Sequence, residues 1–204
     1  MPKKITTIIF DWAGVFCTPA EPFAHQELQR RLGLTPAQIE AKVIDSHKQY
    51  YRGEISSRKF WGDILNFFNI KDLSQSELTG AYLSSYKEYP EMLLPPKKLK
   101  QNYKVALLSN LTEEMMRHIL KKYNLKNSFH QLIFSNQVGL LKPGKEIFQL
   151  TLKRLRSKPA ETLFIDDSLE NIKAAEKLGM QTIHFTSPAE CLSKLKKFGI
   201  SVTV

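Results

Sequence analysis

The sequence predicts an α/β fold, a parallel-sheet core interrupted by a small helical bundle, and three observations carry that prediction. After residue 90, short apolar runs alternate with amphipathic helical stretches, the rhythm of parallel strands joined by crossover helices. The opening run Ile5 to Phe10 is largely apolar, as a strand buried on both faces must be. Between these two regions helical spacing prevails and no strand pattern is convincing. The expected division is therefore a discontinuous core, 1–16 and 91–204, around a helical insert at 17–90.

Taken in order, Ile5 to Phe10 reads as the first strand. Phe23, Leu28 and Leu32 fit one helix closed by Gly33. Thr35-Pro36-Ala37-Gln38 reads as a capping box with proline in the first turn. The stripe Ile39, Val43, His47 and Tyr51 then marks the buried side of a second helix, which Arg52-Gly53-Glu54 breaks. Ser56 or Ser57 opens a third, carrying Phe60, Trp61, Ile64, Leu65 and Phe68. A second capping box, Ser74-Gln75-Ser76-Glu77, opens a fourth with Leu78, Tyr82 and Tyr86. Four short helices with short connections make a small bundle. Beyond it, Pro95-Pro96 restarts a helix leading to Leu99, Lys104 to Leu108 is a strand, and Thr112 caps a helix bearing Met116, Ile119 and Leu120. Leu132 to Phe134 is a short strand, followed after Pro143 by a helix with Ile147, Phe148 and Leu155. Thr162 to Ile165 is a strand, Ser168 caps a helix ending at Gly179, and Gln181 to Phe185 is the last strand. Ser187-Pro188-Ala189-Glu190 reads as a third capping box.

Bulk properties narrow the function classes. The 204 residues are 42% hydrophobic and 25% charged, ordinary values for a globular chain, and no apolar run approaches the roughly 18–20 residues that span a bilayer. Met1-Pro2-Lys3-Lys4 leads toward the first strand without a secretory leader pattern, and two cysteines, Cys17 and Cys191, make no disulfide framework. A reducing cytoplasm is the expected compartment. The net charge of +10 comes from lysines in short bursts between apolar residues, such as Lys97-Lys98-Leu99-Lys100, which is how solvated helix faces read. Without aromatic-basic interleaving, nucleic acid is not an expected partner.

Four strand ends carry polar residues: Asp11, Ser109-Asn110, Lys142 after a loop, and Asp166-Asp167. In a parallel sheet these ends share one edge, where open α/β folds bind ligands. Their chemistry is complementary. Asp11 is a candidate carboxylate nucleophile. Asp166 and Asp167 are hard oxygen ligands for Mg²⁺. The Ser109 hydroxyl and a neighbouring backbone N–H suit phosphate oxygens, and Lys142 adds positive charge between nucleophile and transferring group. Each alone is also an ordinary cap, turn or surface residue. Their conjunction points to phosphoryl transfer.

The segments Phe10-Asp11-Trp12-Ala13-Gly14-Val15, Leu107-Leu108-Ser109-Asn110, Val138-Gly139-Leu140-Leu141-Lys142-Pro143 and Phe164-Ile165-Asp166-Asp167 resemble the haloacid dehalogenase-like hydrolase superfamily. The stretch from Asn171 to Met180 is similar to the family after its fourth motif, and the nearest flavour is the branch of sugar-phosphate phosphatases and epoxide-hydrolase N-domains. The resemblance implies a three-layer Rossmann-like core under a helical cap. It also implies a Mg²⁺-dependent phosphatase of a small phosphorylated metabolite, acting through an aspartyl-phosphate, as a monomer or homodimer. By position Asp11 is then nucleophile and metal ligand, the Ala13 carbonyl a second ligand, Asp166 a third and Asp167 a supporting acid. Ser109, Asn110 and Lys142 hold the phosphate.

One position departs from the pattern. Phosphatases of this family carry a second Asp two residues after the nucleophile as general acid, and here that residue is Ala13. General acid catalysis is worth about 10²–10⁴-fold. Two other readings therefore stay open: a catalytically weak phosphate-binding or regulatory protein, and a dehalogenase or phosphonatase-like hydrolase. Phosphonatases share Asp-Trp-Ala-Gly but need a Schiff-base lysine from the cap, for which Lys42 and Lys48 are the candidates by position. His25, His47, Arg52, Glu54 and Trp61 are cap residues that could meet a ligand, none of them assigned. Cys17 reads as a small buried filler.

Overall fold

The computed structural model describes residues 4–20, 23 and 25–202, so the expectation for Met1 to Lys3 lies outside the described residues. Five strands form one parallel sheet in the order β3-β2-β1-β4-β5: β1 Thr7–Phe10, β2 Lys104–Ser109, β3 Gln131–Phe134, β4 Thr162–Asp166 and β5 Gln181–His184. In register, Ile9 sits beside Ala106 of β2 and Phe164 of β4. Strand alternation splits the core into two halves. Ile8, Phe10, Val105, Leu107, Leu163 and Ile165 face one layer, and Ile9, Ala106, Leu108 and Phe164 face the other. Both faces are covered, which is why these strands read as apolar runs rather than as alternating patterns.

Thirteen α-helices occur among the described residues: α1 Gln26–Leu32, α2 Pro36–Lys42, α3 Ile44–Tyr51, α4 Ser57–Phe67, α5 Gln75–Ser84, α6 Pro90–Leu93, α7 Pro95–Leu99, α8 Glu113–Lys122, α9 Leu125–Ser128, α10 Ser135–Val138, α11 Lys145–Leu155, α12 Leu169–Lys177 and α13 Pro188–Lys197. Helices α11 and α12 lie on one face of the sheet, through Ile147, Phe148, Leu152, Ile172 and Ala175. Helices α7, α8 and α13 lie on the other, through Leu99, Met115, Ile119 and Leu195. The result is three layers. Helices α1 to α5 bury their own aromatic centre, with Phe23, Tyr50, Phe60 and Trp61 all within 1% of full burial. The chain leaving the sheet and the chain returning to it are bonded to each other. Thr18 N–H donates to Lys87 C=O at 2.8 Å, and Tyr89 N–H to Phe16 C=O at 2.8 Å.

Several elements differ from the sequence reading. The Ile39–Val43–His47–Tyr51 stripe is two helices, broken at Val43 (φ −126°, ψ 21°). A strict four-residue spacing drifts about 40° per step around a 3.6-residue helix, and the break resets it so that both halves face inward. Among the described residues the insert therefore holds five helices rather than four. Phe23 precedes α1, whose N-cap is His25, and Tyr86 lies beyond the end of α5. Leu120, expected on the buried face of α8, is 38% exposed, because Met115 fills that face with Met116 and Ile119. The first two capping boxes close reciprocally. The third closes by half: Ser187 Oγ accepts from Glu190 N–H at 3.3 Å, while the Glu190 carboxylate pairs with Lys194 at 2.7 Å one turn on. Ser168 holds the N-cap position of α12 without a side-chain bond, and its N–H is turned to Asp166 instead.

Candidate active site

The strand order reverses direction at β1, and the groups that the sequence placed at strand ends meet at that switch point. Asp11 leaves β1 with its N–H donating to Ile165 C=O of β4 at 2.9 Å. Asp11 is 6% exposed, and its carboxylate is densely bonded. Oδ1 accepts from Trp12 N–H at 2.7 Å and from the Ser109 hydroxyl at 2.6 Å, and Oδ2 lies 2.8 Å from Lys142 Nζ. Lys142 Nζ also reaches Asp166 Oδ2 at 2.6 Å, so one buried ammonium bridges the acids ending two adjacent strands.

Asp166 is fully buried and accepts from Ser168 N–H at 2.8 Å and from Asn171 Nδ2 at 3.0 Å. Asp167 completes a triangle with Asp11 and Asp166 in which one ligand oxygen of each lies within 4.8 Å of the others. Room for Asp167 comes from Gly14, whose φ of +81° suits glycine and where a Cβ would stand 2.0 Å from Asp167 Cγ. His184 Nε2 lies 2.9 Å from the Asp167 carbonyl oxygen and anchors the following loop.

The electrostatics follow from burial. Desolvation pushes the Asp11 carboxyl up, to about 7, helped by Asp166 and opposed by Lys142 and Ser109. Burial, then Asp166, raises Asp167 as well. Burial alone would pull the Lys142 ammonium down, but Asp11 and Asp166 outweigh it and hold Lys142 above its ordinary value. Three acids crowded around one cation are short of positive charge. Hard oxygen donors in this arrangement could hold a divalent cation.

Asn110 is present but turned. Its Nδ2 donates to Lys142 C=O at 3.0 Å and its Oδ1 accepts from Lys142 N–H at 3.0 Å. The side chain clamps the lysine backbone. Asn171, which orients Asp166, was not among the sequence-derived site residues. The signal available for it was an amide side chain one turn inside the helix that follows the acid pair.

Cap and core meet over this edge. Ser135 Oγ accepts from Leu111 N–H at 3.0 Å and donates to Tyr51 C=O at 2.7 Å, and the Tyr50 hydroxyl donates to Glu114. A cavity of about 340 Å³ lies between them, with His47, Lys48 and Tyr51 on the cap side and Asn110, Leu141 and Lys142 on the core side. Lys142 is common to the cavity and the carboxylate cluster. Of the other cap residues, Trp61 is fully buried, His25 caps α1, and Arg52 lies 3.8 Å from Glu54 on the surface. Lys42 is not among the cavity's walls. Cys17 is buried, as expected of a filler.

Residues 8–185 match the model of the haloacid dehalogenase-like hydrolase family. The D-ribitol-5-phosphate phosphatase of Bacteroides thetaiotaomicron is 28% identical over 210 residues, covering 94% of this chain and 97% of that protein. Rat bifunctional epoxide hydrolase 2 is 35% identical over 102 residues, covering 48% of this chain, and the match takes in 18% of that longer protein. A haloacid dehalogenase-family enzyme of Bacteroides thetaiotaomicron, crystallised with magnesium, superposes with a TM-score of 0.80 at 27% identity, over 96% of this chain and all of that one. The same enzyme with magnesium and inorganic phosphate gives 0.76 at 25% identity, over 88% and 93% of the two chains. With its sheet order, its gathered strand-end residues and these similarities, the chain belongs to the haloacid dehalogenase-like hydrolase family.

Proposed function

We propose that this chain is a Mg²⁺-dependent phosphatase of a small phosphorylated metabolite, working through an aspartyl-phosphate on Asp11. The observation that carries the reading is the convergence of Asp11, Asp166 and Asp167 within 4.8 Å beside a buried lysine and a serine hydroxyl. The residues present fit the metal. The side-chain donors are all carboxylate oxygens, and Gly14 leaves the space that Asp167 needs. Asp11, Asp166 and Asp167, with the Ala13 carbonyl, would hold Mg²⁺, and the ion supplies the charge that lets an anionic nucleophile approach an anionic phosphate. The Trp12 N–H and Ser109 hydroxyl aim one Asp11 oxygen, while Lys142 and the Asn110 N–H draw in the phosphate. We assign residues 1–16 and 91–204 to the catalytic core and 17–90 to the cap, the backbone bonds Thr18–Lys87 and Phe16–Tyr89 forming the joint. No helix among the described residues is long and apolar enough to cross a membrane, and two free buried cysteines agree with a reducing compartment.

The test is hydrolysis of p-nitrophenyl phosphate with Mg²⁺, whose leaving group needs no proton from the enzyme. Asp11→Asn removes turnover and the acid-stable, hydroxylamine-labile phosphoenzyme. Turnover that survives in that variant, or halide release from a 2-haloacid without any metal, overturns the reading. A second reading has one observation in its favour: Lys48, on the cap side, lines the cavity shared with Lys142, and a C–P hydrolase needs an imine-forming lysine from its cap. Borohydride inactivation in the presence of a phosphonoaldehyde, absent in Lys48→Arg, separates it from the first.

A further inference from the structure

The phosphatase reading, on which this inference rests, leaves the leaving group without a proton donor, because Ala13 cannot give one. The cavity beside Lys142 narrows the search to its own walls. Lys142 is held between two carboxylates. The Tyr51 hydroxyl lies 3.4 Å from that of Tyr82, and burial keeps its phenol proton well out of reach. Lys48 is exposed at the rim, and the amide of Asn110 is no acid.

His47 is left, and its setting is built. The side chain is 10% exposed, its Nδ1 lies 2.8 Å from Glu40 Oε1, and its Nε2 is buried with no hydrogen-bond partner. The ring is held at 89° to Tyr51 with centroids 4.6 Å apart, and stacks on Phe60 at 6.0 Å. A carboxylate on one ring nitrogen orients an imidazole and leaves the other for the reacting partner. Buried polar atoms without partners are rare, and those that persist point to a role. His47 and Glu40 line the same open cleft of about 340 Å³ that Lys142 lines.

We propose that His47, oriented by Glu40, is the proton donor that replaces the missing acid at position 13. In the first step an Asp11 carboxylate oxygen bonds to phosphorus and the P–O bond to the leaving group breaks. The proton of the His47 imidazolium goes to that departing oxygen, giving an alcohol and a neutral imidazole. In the second step water attacks the aspartyl-phosphate, and His47 takes up the proton the water loses. Asp11 is freed, inorganic phosphate leaves and the imidazolium is restored.

The experiment compares kcat/KM, with Mg²⁺, for p-nitrophenyl phosphate and for a panel of polyol and sugar phosphates. His47→Gln is expected to lower the alkyl-to-aryl ratio by about 10²-fold, the low end for general acid catalysis, and Glu40→Gln by about tenfold. Ala13→Asp added to His47→Gln should restore the ratio. Should His47→Gln fail to fold, Glu40→Gln, at the half-exposed end of the pair, carries the test, since an internal ratio is blind to the amount of active protein. An equal fall on both leaving groups makes His47 a packing residue and overturns the proposal. So does a wild-type enzyme that cleaves p-nitrophenyl phosphate but no member of the panel. Absence of both activities defeats the phosphatase reading itself.

Discussion

Replacing Lys142 by methionine keeps the length and apolar stem of the side chain and removes only the charge. Lys142 is 5% exposed, with Nζ 2.8 Å from Asp11 and 2.6 Å from Asp166. The desolvation of the ammonium offsets much of its attraction to two carboxylates, so the intact cluster is worth little net stability. Breaking it is different. Asp11 and Asp166 are left buried with no counter-charge, and losing one partner of a buried ion pair costs about 3–5 kcal/mol. For a chain of this size each kcal/mol lowers Tm by about 2–4 °C, so Lys142→Met should melt about 6–20 °C below wild type in a chelating buffer. Saturating Mg²⁺ supplies a substitute counter-charge and should return a large part of that loss, with no return of turnover. The measurement is thermal unfolding followed by circular dichroism, in EDTA and in Mg²⁺. A variant melting within about 2 °C of wild type in EDTA refutes the reasoning, because it would mean that the two acids tolerate each other without the lysine.

Two further outcomes follow from the same cluster. Gly14→Ala puts a Cβ 2.0 Å from Asp167 Cγ on a backbone at φ +81°, so it should cost about 1 kcal/mol in stability and weaken Mg²⁺ binding at least about tenfold by calorimetric titration. Binding within about twofold of wild type would show that Asp167 is not needed where it stands. The second concerns pH. Asp11 is raised from 3.8 to about 7 in the folded chain, so between those values the unfolded chain holds fewer protons than the native one. Stability from this group is therefore greatest at acid pH and falls as pH rises toward 7. Melts of metal-free protein across that window should show the decline, and Asp11→Asn should flatten it; an unaltered slope in the variant rules out Asp11 as its source.

What could be read in advance was local or periodic. The apolar runs around Ile8, Leu107 and Phe164 declare strands buried on both faces, since each face must find a hydrophobic layer. The boxes at Thr35 and Ser74 announce helix starts, because a cap bonds within three residues of itself. The four polar strand ends told which groups share an edge, because parallel topology sends every such end to one side.

The sequence by itself determined the class of fold and named the residues proposed for the site: Asp11, Ser109, Lys142 and the Asp166–Asp167 pair. Only the tertiary structure decided their partners. It turned Asn110 onto the Lys142 backbone, set Asn171 on Asp166, split a continuous stripe at Val43, and joined Glu40 to His47 across that break. The physical reason is one of range. Helix caps and strand periods are properties of neighbours in the chain, whereas the bond from Ser109 to Asp11 spans 98 residues and exists only once the sheet has brought β1 and β2 side by side.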